Sequence, residues 1–214
     1  RQRQMCIRDS QGTEPIRGFG AVAGVYEEAC QIVVRADSEI STVEELEGHR
    51  VSIGEEESGT KQNALQILAA YGLNEKLVEE VSLNYTEAAK ELENGTIDAF
   101  FCTAGVQTAA ITNLAQRTGI RFLNVDSAAA ARLKKSYPVY DSCIIAAGTY
   151  PGQEEDVSTV GVKAVLLASD SVSAEVVEEL TALLFEEQQE LDFALPVELI
   201  TDADAAVAGI SVPF

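Results

Sequence analysis

Residues 50–73 read RVSIGEEESGTKQNALQILAAYGL, and the reading of this stretch decides the fold. Arg50–Ile53 is a short run that predicts a strand. From Thr60 the apolar residues Ala64, Leu65, Leu68, Ala69 and Leu73 recur at helical spacing, and Gly72 marks the stop. Between them lies Gly54–Gly59, a loop rich in glycine and acid. Strand, small-residue loop and helix form half of a strand–helix–strand unit, so the flanks must show whether the unit repeats.

It repeats in both directions. Upstream, Cys30–Arg35 (CQIVVR) predicts a strand closed by Ala36-Asp37-Ser38. Val43-Glu44-Glu45-Leu46 then predicts a one-turn helix, with a capping box between Ser41 and Glu44 and a stop at Gly48. Downstream come a strand at Val81–Tyr85, a Thr86-capped helix through Leu92 stopped by Asn94-Gly95, and a buried strand at Ile97–Cys102. A helix at Val106–Arg117, a strand at Ile120–Val125 and an Ala-rich helix at Ser127–Ser136 follow. Ser142–Ala147 and Val157–Ala168 read as apolar strands, and Ser171-Val172-Ser173 caps a helix from Ala174 to about Leu191. This alternation implies an α/β fold with a mostly parallel sheet covered on both faces.

Composition narrows the function. The 214 residues suit one large domain or two small ones, and a chain of this length needs no metal or disulfide to fold. With 35 Asp+Glu against 15 Lys+Arg the net charge is −20, which repels phosphate backbones and excludes nucleic acid and anionic lipid as partners. No apolar run approaches the ~18 residues of a membrane-spanning helix, so direct membrane insertion is not expected. Cys6, Cys30, Cys102 and Cys143 form no CxxC pair and no metal-ligand cluster. The last three read as small buried hydrophobes, and a disulfide between two of them stays open at this point. Residues 1–10, RQRQMCIRDS, resemble translated adapter sequence and are set aside as a non-native tail. With the abrupt GISVPF at the other end, they lead us to expect a fragment, in which a missing signal peptide says nothing about compartment.

Few residues carry chemistry. His49, the only histidine, lies in a polar turn and reads as exposed. Glu55-Glu56-Glu57 lacks the alternating oxygen ligands of a calcium loop and reads as solvated. No nucleophile elbow, zinc-protease motif or phosphate loop is present, so neither catalytic residues nor a cofactor or metal are expected. Two loops stand out: Gly54…Ser58-Gly59-Thr60, and Cys102-Thr103-Ala104-Gly105. Each follows a predicted strand and precedes a predicted helix. The plain reading of Ser58 and Thr60 is a helix cap; the functional one is an anion held on helix N–H groups. In open α/β sheets ligands sit beyond the carboxyl ends of the strands, where two such loops converge into a donor-rich pocket.

The blocks QIVVRADSEISTVEELEGHRVSIGEEESGT (31–60), ILAAYGL (67–73), NGTIDAFFCTAG (94–105) and PVYDSCIIAAGTYPGQEEDVSTVGVKAVLLAS (138–169) resemble, in collinear order, the TAXI family. These are the extracytoplasmic solute receptors of tripartite ATP-independent periplasmic (TRAP) transporters. The resemblance runs from about Ile16 to Glu190. It implies a two-lobed periplasmic-binding-protein fold of type II topology, with the N-terminal lobe incomplete. On that model 11–50 and 126–214 belong to the first lobe and hinge, and 51–125 form the second lobe. It further implies a periplasmic or otherwise extracytoplasmic location, membrane permease subunits as partners, and a small carboxylate or amino acid such as glutamate as solute. The ligand residues carried over are Ser58, Gly59, Thr60, Thr103, Ala104, Gly105 and Tyr26. Tyr150 is expected to support the hinge and Asp98 to hold a neighbouring turn. Two rivals share the fold: an enzyme, which needs an acid–base pair that the sequence does not offer, and the effector-binding part of a cytoplasmic regulator.

Overall fold

In the computed structural model the strand–loop–helix of residues 50–73 becomes β2 (Arg50–Ser52) and α1 (Gly59–Ala70). Residues 18–186, 199–208 and 210 are described. The 1–10 stretch and the end of the helix predicted to Leu191 lie outside them. The remaining elements are β1 (Phe19–Arg35), a 3-10 turn at Glu44–Leu46, β3 (Glu79–Val81), α2 (Tyr85–Asn94), β4 (Ala99–Ala104) and α3 (Ala109–Arg117). They continue with β5 (Ile120–Phe122), α4 (Ser127–Ser136), β6 (Asp141–Ile145), β7 (Val157–Ser169), α5 (Ala174–Glu186) and α6 (Ala203–Val207). The chain divides into two compact units, one running Glu28–Val162 and the other taking both ends of the chain.

In the 28–162 unit, β2 is parallel to β3 (Val51↔Glu80) and to β4 (Val51↔Ala99). β1 is antiparallel both to β4 (Ile32↔Phe101) and to β5 (Val34↔Arg121). The order is therefore β3-β2-β4-β1-β5, four strands of one direction with an antiparallel strand inserted before the last. That is the type II order, and it refines the expectation of a mostly parallel sheet: four of these strands share a direction, while β1 does not enter from a crossover helix, so nothing obliges it to run with the others. β7 also lies beside β1, and β6 is antiparallel to β7 (Cys143↔Thr159).

Each face of this sheet is covered, as the apolar spacing requires. On one face Ala64, Ile67 and Leu68 of α1 and Ala129 and Leu133 of α4 pack with Val34, Val51 and Phe101. On the other, Ala88, Ala89 and Leu92 of α2 and Ile111 and Leu114 of α3 pack with Val33, Phe100 and Cys102. Alternation along β4 sends Phe100 and Phe101 to opposite faces, the period-2 pattern of a strand buried on both sides.

Several boundaries differ from expectation for local reasons. The one-turn helix is closed by Glu45, not Glu44: Glu45 Oε2 accepts from the N–H groups of Ser41 (2.6 Å) and Thr42 (3.2 Å). The strand expected at Val81–Tyr85 is displaced to Glu79–Val81, because Asn84 caps α2 by accepting from Glu87 N (2.9 Å) and takes the place assigned to Thr86. β1 begins at Phe19, well before Cys30, in a Gly- and Ala-rich segment with weak alternation. Cys30 and Cys102 are buried and Cys143 is half-buried, and no disulfide joins these three to one another.

In the other unit, the early part of β1 pairs with the C-terminal segment: Ile200 N donates to Val25 O (2.8 Å), and Tyr26 bridges Leu199. Lys163 Nζ donates to the carbonyls of Ala205 (2.8 Å) and Ala208 (2.5 Å) at α6. Gly24 lets this segment close, since a Cβ there would stand 2.9 Å from the Ala206 carbonyl oxygen. Ser173 caps α5 by accepting from Val176 N (3.4 Å), as its sequence predicts.

Candidate functional site

The two loops singled out in the sequence both leave carboxyl ends of neighbouring parallel strands, β2 and β4, and each leads to a helix. Ser58 is the N-cap of α1: its hydroxyl accepts from Lys61 N (3.1 Å) and donates to Glu55 O (2.7 Å). The amides of Gly59 and Thr60 occupy the first turn, where no carbonyl four residues back can receive them. Gly54 has φ +96°, and a Cβ there would lie 2.9 Å from Thr60 Cβ and Cγ2, so glycine lets this loop fold onto Thr60. Thr103 and Ala104 end β4 and Gly105 follows them. Thr108 Oγ1 donates to Gly105 O (2.8 Å), closing the second loop before α3.

Both loops contain backbone held in an uncommon state. Among the described residues, the non-glycine residues with positive φ are Glu57 (φ 61°) and Gln107 (φ 61°), one in each loop. Left-handed backbone costs a side-chain-bearing residue about 1–2 kcal/mol, and such residues cluster where ligands are held.

Tyr85, which the sequence reading passed over, joins the loops. Its hydroxyl donates to Thr103 O (2.9 Å) and lies 2.5 Å from Thr60 Oγ1. Burial pushes the Tyr85 phenol up to about 12, so it remains a neutral donor over the physiological range. Thr103 Oγ1 points its hydrogen bond at Cys30 Sγ (3.6 Å). Below the second loop, Tyr150 is 1% exposed and donates to Gln31 Oε1 (2.5 Å) while accepting from Thr108 N (3.2 Å). It thus anchors the start of α3 to β1. A signal for Tyr85 existed in the sequence, an aromatic residue at the start of a helix beside a chain-reversing Asn84, but nothing local tied it to residues 60 and 103.

Ser58, Gly59, Thr60, Thr103, Ala104 and Gly105 are brought together in the 28–162 unit. Tyr26 belongs to the other unit, half-buried in β1. Within the acidic run, Lys61 Nζ lies 2.6 Å from Glu56 Oε2 and Ser82 Oγ donates to Glu56 Oε1 (2.8 Å), which hold the Glu56 carboxyl below its ordinary range. Among the described residues, no group of three His, Cys, Asp or Glu is arranged to hold a metal ion. None of their helices is long and apolar enough to cross a membrane.

Two clefts lie elsewhere in this unit. One, of about 640 Å³, is an open groove that includes Arg35, Asp37, Glu45, His49 and Asp98; another, of about 400 Å³, includes Arg121 and Asn124. In the first, His49 Nδ1 lies 3.2 Å from Asp98 Oδ2. Asp98 also accepts from Arg50 N (2.9 Å), which is the turn-holding role its sequence implies. Both side chains are about two-fifths exposed, at 41% and 42%, and no hydrogen bond links His49 to a hydroxyl or thiol among the described residues. The pair is a surface contact.

The strand order, the two covered faces and the paired loops are those of a periplasmic-type solute-binding fold. The structure of a TctC solute binding protein from Polaromonas has this fold, with a TM-score of 0.52 at 16% identity over 88% of this chain and 64% of that one. Weaker matches are the periplasmic aliphatic sulphonate binding protein of Escherichia coli (TM-score 0.49, 19% identity, 83% of this chain and 50% of that one) and the substrate binding protein of an amino acid ABC transporter (TM-score 0.43, 19% identity, 80% and 61%). The chain spans about half to two-thirds of the length of these structures. By sequence it belongs to the NMT1-like family, whose model matches residues 8–214. That match takes in the last three residues of the stretch set aside at the N-terminus.

Proposed function

We propose that this chain captures a small carboxylate or amino acid as part of an extracytoplasmic solute receptor, of the TAXI kind, that hands its solute to TRAP permease subunits. The observation that carries the reading is the pair of strand-to-helix loops, 54–60 and 103–108, each with a strained non-glycine residue and both gathered on Tyr85. The solute's carboxylate meets the amides of Gly59 and Thr60 at the positive end of α1, with Thr103, Ala104 and Gly105 alongside. No bond is made or broken. The acidic surface offers anions no long-range attraction, so affinity comes from local donors and depends weakly on salt.

Thermal shift against a panel of organic acids, amino acids, sugars and polyamines tests the reading. Stabilisation by carboxylate solutes, little changed between low and high salt, is the expected result. Stabilisation by sugars or polyamines alone overturns it. Mass spectrometry of the solute after prolonged incubation with excess protein separates binding from catalysis: a receptor returns it intact, whereas turnover would place the enzyme reading first.

A further inference from the structure

We propose that Tyr85 is a positioning residue whose hydroxyl ties the start of α1 to the end of β4 and so sets the spacing of the two loops. The inference rests on the solute-binding reading above for its functional half, and on geometry alone for its structural half.

A tyrosine hydroxyl has one proton. Tyr85 places it on Thr103 O at 2.9 Å, so the 2.5 Å contact with Thr60 must be a donation from Thr60 Oγ1 to the phenol oxygen. Thr60 is 6% exposed, and its only hydroxyl proton is thereby committed. Thr60 therefore serves a solute through the latch and its own backbone N–H, not through a hydroxyl donated to the solute. The anchor of the latch is firm: Tyr85 packs against the core cluster that holds Ala88, Ala89, Leu92 and Phe100, and its hydroxyl reaches both loops. Each loop also carries one left-handed residue, Glu57 or Gln107, and needs outside contacts to hold that backbone in place. Two hydrogen bonds in series across one phenol oxygen supply such a contact to both.

The test uses Tyr85→Phe, Thr60→Val, Thr60→Ser and the double variant Tyr85→Phe/Thr60→Val, in the full chain. Calorimetric titration with L-glutamate, L-aspartate and succinate gives affinities, and amide hydrogen exchange reports the two loops. Each of Tyr85→Phe and Thr60→Val should weaken binding about two- to tenfold. The double variant should be no weaker than the poorer single one, since one chain of bonds is broken once, and Thr60→Ser should retain wild-type affinity. Amides of 59–61 and 104–106 should exchange faster in both single variants. A merely structural tyrosine would shift melting temperature alone. Additive losses, or unchanged affinity and exchange in Tyr85→Phe, overturn the proposal. If the unmodified chain binds none of the three probes, the receptor reading fails for them, and exchange in the loops still decides the latch: faster exchange in both supports it, and unchanged exchange sinks it.

Discussion

Replacing Tyr150 with Phe tests how firmly the second loop is tied down. The ring is retained, including its tilted contact with Phe122 at 5.2 Å between centroids, so the change removes one oxygen from a site that is 1% exposed. Two partners are stranded. Gln31 Oε1 loses its 2.5 Å donor at a residue only 1% exposed, where water has no ready access. Thr108 N loses its 3.2 Å acceptor at the less deeply buried start of α3. A buried polar atom left without a partner costs about 1–3 kcal/mol, and a partly buried one less, so we expect about 2–4 kcal/mol in all. Tyr71→Phe is the matched control. Tyr71 OH accepts from Asp126 N (2.8 Å) near the surface, where water can replace the lost oxygen, and the expected cost is about 0.5 kcal/mol. Urea denaturation of both variants, read by circular dichroism at equal slope, gives the comparison. A Tyr150→Phe cost below about 1 kcal/mol, or no greater than that of Tyr71→Phe, would refute the view that this hydroxyl pins α3 to β1.

Two further outcomes follow from particular contacts. Gly54→Ala combines a backbone at φ +96° with a Cβ pressed to 2.9 Å from Thr60, and should destabilise by about 2–4 kcal/mol and loosen the exchange of residues 54–60; a melting temperature within a degree of wild type would contradict it. Asp126 caps α4 by accepting from Ala129 N (2.9 Å) and Ala128 N (2.8 Å), and those hydrogen bonds hold its carboxyl below the ordinary value. Its folded pKa is lowered, so its contribution is complete above the unfolded carboxylate pKa and is lost as pH falls through the folded value. Asp126→Ala should therefore cost about 1 kcal/mol at neutral pH, and that cost should shrink on acidification; a penalty constant from pH 7 to pH 3 would rule out the charged cap.

Much of the architecture was legible because single elements advertise themselves. α4 occupies Ser127–Ser136 as expected, since Asp126 and an apolar stripe ending at Leu133 define both ends locally. The strand–loop–helix at 50–73 and the Ser58 cap were equally local. What could not be read was anything set by a distant partner. The antiparallel direction of β1 depends on β4 and β5, far along the chain. Nor can sequence show that the hydroxyl of Thr60 is already engaged by a residue at position 85, a contact that turns a candidate solute donor into part of a latch. His49 shows the reverse: its neighbour Asp98 was invisible in the sequence, yet the exposure of both leaves the original reading of a surface turn in place.

The two-sided core has a practical corollary in its thiols. Cys30 packs in the cluster shared by α1 and α4, and Cys102 in the one shared by α2 and α3, although they sit on adjacent strands with Gln31 opposite Cys102. Burial pushes the Cys102 thiol up to about 12, so an alkylating reagent finds almost no thiolate there until that face opens. Cys30 and Cys102 can therefore serve as built-in reporters, one to a layer, and pulse-alkylation followed by peptide mapping, which tells them from the half-buried Cys143, can time the opening of each layer separately without a foreign residue.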